Sequence, residues 1–221
     1  MGRPFLAEGL GSLLLTAAVV GSGIMGERLA GGNLAVVLLA NTGATVAALA
    51  TLIALLGPIS GAHFNPVISA VEAVRGKLAV SRAAGYVVVQ ILGCCTGAVL
   101  ANAMFDLPLV EVSTHVRSGY AQWLSEVVAT AGLVLVARGA MTVRAAAWRV
   151  PAWIGAAYWF TASTSFSNPA ITLGRSLTDT FAGIRPADAP GFIGAQLVGG
   201  LVGAILARLL LGSSPAEVRT D

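Results

Sequence analysis

Two short stretches of this chain combine residue types suited to handling a polar solute. They are Asn65-Pro66-Val67, within "SGAHFNPVISA", and Asn168-Pro169-Ala170, within "SFSNPAITLGRS". Proline suits the first position of a helix, where its missing N–H would be unpaired in any case, and asparagine is a good cap for that helix. Each Asn-Pro therefore marks a helix start. The free N–H groups of the first turn and the helix dipole make such a start locally positive, and the asparagine amide can donate hydrogen bonds outward. Two starts facing each other would form a positive collar that admits a neutral, hydrogen-bonding solute and opposes cations, protons included. No bond-making machinery accompanies them. His63 and His115 are the only histidines, and no nucleophile or metal-ligand cluster surrounds them; Ser165 and His63 could at most be imagined as a dyad. No enzyme activity, cofactor or bound metal is expected.

A lone Asn-Pro is usually a cap or a kink, so the elements around the pair decide its meaning. Of 221 residues, 56% are hydrophobic and only 10% charged, with a mean hydropathy of +0.83. A soluble domain carries about 25% charge. This chain cannot cover a water-facing surface and is read as an integral protein of the lipid bilayer. Its cations are scattered between apolar runs, which argues against a nucleic-acid partner. Crossing about 30 Å of hydrocarbon takes roughly 20 apolar residues. Candidate spans run near 5–25, 33–56, 82–104, 119–139, 148–164 and 189–211. The first is read as a span rather than a cleaved signal, because Glu8 interrupts its start and further spans follow. Residues 61–74 and 166–178 are apolar but too short to cross. Each holds an Asn-Pro, so each is read as a re-entrant half-helix. Cys94 and Cys95 are adjacent within an apolar run and point apart on a helix, so no disulfide is expected.

The spans repeat. "AAGYVVVQILGCCTGAVLANAMF" aligns with "APGFIGAQLVGGLVGAILARLLL" at an offset of 106, pairing Gln90 with Gln196, Gly93 with Gly199 and Gly97 with Gly203. Asn65 pairs with Asn168 at an offset of 103, and Glu8 with Glu126 at 118. Three spans per copy require the second copy to be inverted, which places broken helices near the midplane. The expected fold is an all-α membrane protein: six transmembrane helices plus two re-entrant half-helices in an inverted repeat, forming one structural domain. Residues 1–113 are the first repeat, with half-helix 65–74; residues 114–221 are the second, with half-helix 168–178. With both termini in the cytoplasm, nine of the thirteen Lys and Arg lie inside and four outside, as the positive-inside rule requires. The glycine pairs, four residues apart on one helix face, fit close helix crossings.

At this point the chain resembles the aquaporin and aquaglyceroporin family, the major intrinsic proteins, over about Phe5 to Leu211. "ISGAHFNPV" and "SNPA" resemble its two signature boxes. The resemblance implies an aquaporin-like bundle, a homotetramer with one pore per subunit, and passage of small neutral solutes. It implies that Glu8 and Glu126 brace the loops carrying the boxes, and that His63 is the histidine of the first box.

The chain departs from the family at the narrowest point of the pore. The family's arginine, three residues after the second asparagine, is here Ile171. Carried over by spacing, the remaining filter positions are Thr45, Ala156 and Ser165. That ring has no aromatic, no histidine and no fixed charge, and should be wider than a water filter. Losing the arginine removes five donors and a source of positive field. Arg175 shares a helix face with Ile171, about 6 Å further along, and would reach the outer vestibule; a salt bridge to Asp179 or snorkelling to the headgroups is the alternative. Val67, in place of alanine, either alters half-helix packing or trims the lumen. The filter without arginine, with "NPAITLGRSLTDTFAGIRP", resembles a bacterial branch associated with arsenic resistance. That implies a bacterial inner-membrane channel for metalloid hydroxides such as arsenous acid and for some methylated arsenicals. A general water and glycerol facilitator is the nearer alternative, and an alternating-access transporter the more distant one.

Overall fold

A computed structural model describes residues 2–212; the polar tail that follows, in which the sequence offers no readable switch, lies outside the described residues. Among the described residues there are six long α-helices and two short ones: α1 (Arg3–Leu29), α2 (Leu34–Ser60), α3 (Pro66–Val74), α4 (Val80–Met104), α5 (Tyr120–Gly139), α6 (Val143–Phe160), α7 (Pro169–Arg175) and α8 (Ala189–Leu211), the last preceded by a 3-10 turn over Pro186–Asp188. Local chemistry sets several of these bounds. Asn33 caps α2 by accepting from Ala35 N at 3.0 Å, and Gly61 ends it at φ 92°, a conformation glycine adopts without strain. Thr142 caps α6 by accepting from Ala145 N at 3.1 Å.

Helices α3 and α7 have 9 and 7 residues. At 1.5 Å per residue each covers less than half of a roughly 30 Å hydrocarbon core, as half-helices must. Five long helices are apolar enough to cross by length and composition. The sixth, α6, is the shortest at 18 residues and contains Arg144 and Arg149. It runs four to five residues earlier than the 148–164 expected from hydropathy, because its cap is Thr142 and it stops at Phe160. Similarly α7 ends at Arg175, short of residue 178.

The surface inverts that of a soluble protein. Leu6, Leu55, Leu92, Trp148, Leu201 and Leu209 face outward, while Glu8, Gln90, Glu126 and Gln196 are fully buried. Lipid accepts the first set, and hydrogen bonds within the bundle engage the second, with Gln90 Oε1 alone of their side-chain oxygens and amide nitrogens left without a partner among the described residues. Helix α1 packs on α4 and α5 on α8 at matching glycines. A Cβ at Gly93 or Gly97 would collide with the carbonyls of Gly9 and Leu13; one at Gly199 or Gly203 would collide with those of Val127 and Ala131. The two crossings are copies of one contact, brought to backbone distance by small residues. Cys94 and Cys95 are free.

Candidate functional site

The two loops entering α3 and α7 are built alike. Ala62 and Phe64 in the first, and Ser165 and Ser167 in the second, hold φ between 48° and 51°. Left-handed backbone costs a non-glycine residue roughly 1–2 kcal/mol, so something must hold these turns. The buried glutamates do. Glu8 Oε1 accepts from Ser60 Oγ at 2.7 Å and His63 N at 2.9 Å; its Oε2 accepts from Phe64 N at 2.7 Å and Gln90 Nε2 at 2.8 Å. Glu126 Oε1 accepts from Ser163 Oγ at 2.6 Å and Phe166 N at 2.9 Å; its Oε2 accepts from Ser167 N at 2.8 Å and Gln196 Nε2 at 2.7 Å. Gln90 then donates to Ser69 Oγ at 3.0 Å and Gln196 to Thr172 Oγ1 at 2.9 Å, tying each loop to its own half-helix. The glutamines stand out as a repeat pair in the sequence; this bracing role is visible only in three dimensions. His63 joins the first network through Nδ1, 3.0 Å from Ser69 Oγ.

The half-helix caps meet. Asn65 Oδ1 accepts from Val67 N at 2.9 Å, and Asn168 Oδ1 from Ala170 N at 3.0 Å. Each amide also donates across the pseudo-twofold: Asn65 Nδ2 to Ser167 O and Asn168 Nδ2 to Phe64 O, both at 2.7 Å. An amide nitrogen has two hydrogens. One is spent on the opposite loop, which fixes the side chain, and the second remains for whatever occupies the space beside it.

That space is a cavity of about 590 Å³ lined by both asparagines. It opens among Arg75, Lys77, Arg138 and Met141, beside Leu211 and Gly212 at the end of α8, and passes His63 and the asparagines to Thr45, Tyr158, Ser165, Ile171 and Arg175. Leu15, Leu49, Ile53, Leu133 and Ile154 give it an apolar wall. Pro66, Val67, Pro169 and Ala170 are buried behind the lining. Val67 packs with Val71 and Val134 and against Gly200, so its extra bulk goes into packing rather than the lumen.

Two expectations require correction. Ala156 does not line the cavity. It is exposed, on an outward-facing depression with Ala152, Trp153 and Trp148. Counting residues back from Asn168 fixes height but not the rotational phase of α6, and two residues turn a helix by about 200°. Tyr158 occupies the cavity side instead, its hydroxyl 3.3 Å from Thr45 Oγ1. The ring is thus not free of aromatics. Nor is Arg175 paired with Asp179 or snorkelling. It is 2% exposed, donates from Nε to Ala182 O, and lays its guanidinium 3.4 Å from the centre of the Phe166 ring. Asp179 instead accepts from Thr114 N at 2.8 Å and Thr114 Oγ1 at 2.9 Å. Those contacts hold the Asp179 carboxyl below its ordinary pKa, the Thr114 backbone N–H contributing most. Phe166, which the sequence does not mark, is the platform for Arg175 on one side and has Arg117 at 5.0 Å.

Comparison with known proteins agrees with this geometry. The family model described as major intrinsic protein matches residues 1–161. The chain is 52% identical over 219 residues to the aquaglyceroporin AqpS of Rhizobium meliloti (strain 1021), covering 98% of this chain and 94% of that protein. It is 29% identical to aquaporin Z of Brucella melitensis over 92% of this chain and 91% of that one. Among solved structures, the aquaglyceroporin from Plasmodium falciparum superposes with a TM-score of 0.70 at 20% identity, covering 95% of each chain, which speaks for the fold. Apolar spans, two capped half-helices meeting at a lumen and these similarities give one conclusion: the chain is an integral membrane protein belonging to the major intrinsic protein family.

Proposed function

We propose that this protein is a passive channel for small, uncharged polar solutes, with metalloid hydroxides such as arsenous acid foremost and some water and glycerol besides. The observation that carries the reading is the continuous cavity past Asn65 and Asn168 to a ring in which Ile171 stands where an arginine is expected. Arsenous acid is neutral near pH 7 and offers three hydroxyls that donate and accept. The free amide hydrogens of Asn65 and Asn168 serve its oxygens. The hydroxyls of Thr45, Ser165 and Tyr158 exchange bonds with it in both directions, while the aliphatic wall contributes no competing partners. A solute passes because each site replaces part of its hydration without holding it. The positive ends of the two half-helices disfavour cations. The protein is expected in a bacterial inner membrane, as a homotetramer, with both termini cytoplasmic; the wide cavity mouth at Arg75 and Lys77 then faces the cytoplasm.

The test is light-scattering of proteoliposomes exposed in turn to gradients of arsenous acid, glycerol and water, for wild type and Ile171→Arg. Arsenous acid entry well above empty liposomes, and suppressed by the arginine, supports the reading. Arsenous acid entry at the empty-liposome rate, with glycerol or water flux intact, would leave a general water and glycerol facilitator. That second reading is favoured by the 52% identical relative, which is named as an aquaglyceroporin.

A further inference from the structure

The cavity stops at Arg175. Its lining includes Tyr158, Ile171 and Arg175 but no residue of 105–119 or 176–188, the segments beyond that end. What fills this end is a guanidinium. Arg175 is almost fully buried although no carboxylate neutralises it: among the described residues the ion pairs are Arg75–Glu72 and Arg185–Asp188, and Asp179 is engaged by Thr114. A buried cation without an anion is costly unless something solvates it. Within the described residues Nε is the Arg175 nitrogen with a hydrogen-bond acceptor, and its terminal nitrogens are not among the buried atoms lacking partners. They keep their surface on the lumen, where water or solute can serve them.

The side chain is also held. Ala182 O takes its Nε proton and Phe166 lies against its flat face. Phe166 is fixed in turn by Glu126, through its N–H, and by Phe192, edge-on at 5.1 Å. Arg117 donates to Gly183 O at 2.7 Å and Phe181 O at 3.0 Å, so neighbouring carbonyls of residues 181–183 anchor both arginines. A planar fork clamped by a ring and a carbonyl is pre-organised.

We propose that Arg175 is the constriction guanidinium of this channel, displaced by one helical turn outward from Ile171. It sets the size limit at the outer end and excludes cations, while the ring at Ile171 stays wide. The proposal rests on the reading that the cavity conducts. It implies a two-tier filter: a neutral ring of Thr45, Tyr158, Ser165 and Ile171, then a charged gate.

The experiment compares wild type, Arg175→Gln and Arg175→Lys in proteoliposomes. Entry of glycerol and of a five-carbon polyol is followed by light scattering, and proton leak by a trapped pH dye. Elution at the wild-type position in detergent and equal incorporation establish folding. Arg175→Gln is expected to raise the polyol-to-glycerol ratio several-fold and to raise proton leak. Arg175→Lys keeps the charge without the flat fork, so the size limit should relax while leak stays at the wild-type level; a merely structural arginine would not split the readouts this way. Wild-type glycerol flux with both variants matching it in ratio and leak would overturn the inference and leave the channel reading standing. If Arg175→Gln does not fold, Arg175→Lys decides alone, with an unchanged size limit overturning the inference. Wild-type flux no faster than empty liposomes, with the variants equally inert, would overturn both.

Discussion

Glu126 is bonded by four donors and fully buried. Glu126→Ala would orphan them, and an unsatisfied buried donor costs about 1–3 kcal/mol, so the loss should be on the order of 3 kcal/mol or more. A lower melting temperature in detergent, with Glu8→Ala behaving alike, is the expected result; melting unchanged for either would mean that the loops do not depend on these carboxylates. The phase of α6 gives a second prediction. Tyr158→Ala should enlarge the solute limit measured by swelling, whereas Ala156→Leu, on the outer face, should leave it unchanged; the reverse pattern would restore Ala156 to the lumen. Much of this scale is legible from sequence, because Asn-Pro states its own capping chemistry. Tyr158, Phe166 and the burial of Arg175 are not legible. They depend on the rotation of α6 and on a loop whose shape Glu126 imposes from elsewhere in the chain.

Among the elements, the glycine crossings are the most sensitive. Gly97→Leu would drive a side chain into the Leu13 carbonyl. Overpacking of this kind costs about 1–3 kcal/mol, which should appear as earlier thermal aggregation in detergent. Gly194→Leu, with open space around its Cβ position, should aggregate at the wild-type temperature, and equal behaviour of the two variants would contradict the crossing model. Segment 113–117 is tied to the α7–α8 loop partly through Asp179. Its carboxyl pKa is depressed in the folded chain, so the contact stabilises above the usual carboxylate range and is lost as pH falls through that depressed value. Protection of the Thr114 amide from hydrogen exchange, relative to the intrinsic rate at each pH, should therefore persist through mildly acidic pH and fall only below the ordinary aspartate range, about pH 4, and Asp179→Asn should remove that step. Protection already lost between neutral and mildly acidic pH would show that another group holds the segment. The half-helices are readable because an apolar run too short to cross, led by Asn-Pro, has few other places to go. Their ends, and the start of α6, are set by caps and tertiary contacts that hydropathy does not register.

At the scale of the molecule, the outward leucines and inward glutamates, glutamines and asparagines describe a bundle solvated by lipid around a polar path. The order of spans and the repeat offsets reveal that architecture in the sequence, since composition, span length and symmetry are properties of the chain itself. The width and chemistry of the outer end are not of that kind, because they arise where α2, α6, α7 and the α7–α8 loop meet. The central claim is that the path conducts passively rather than serving as an alternating site. It is tested most directly by the initial rate of glycerol entry into proteoliposomes, measured against glycerol concentration with and without imposed proton and sodium gradients. A channel gives a rate that rises in proportion to the glycerol gradient and ignores the ions. A rate that saturates and follows an ion gradient would contradict the account and make the two half-helices parts of a coupled transporter.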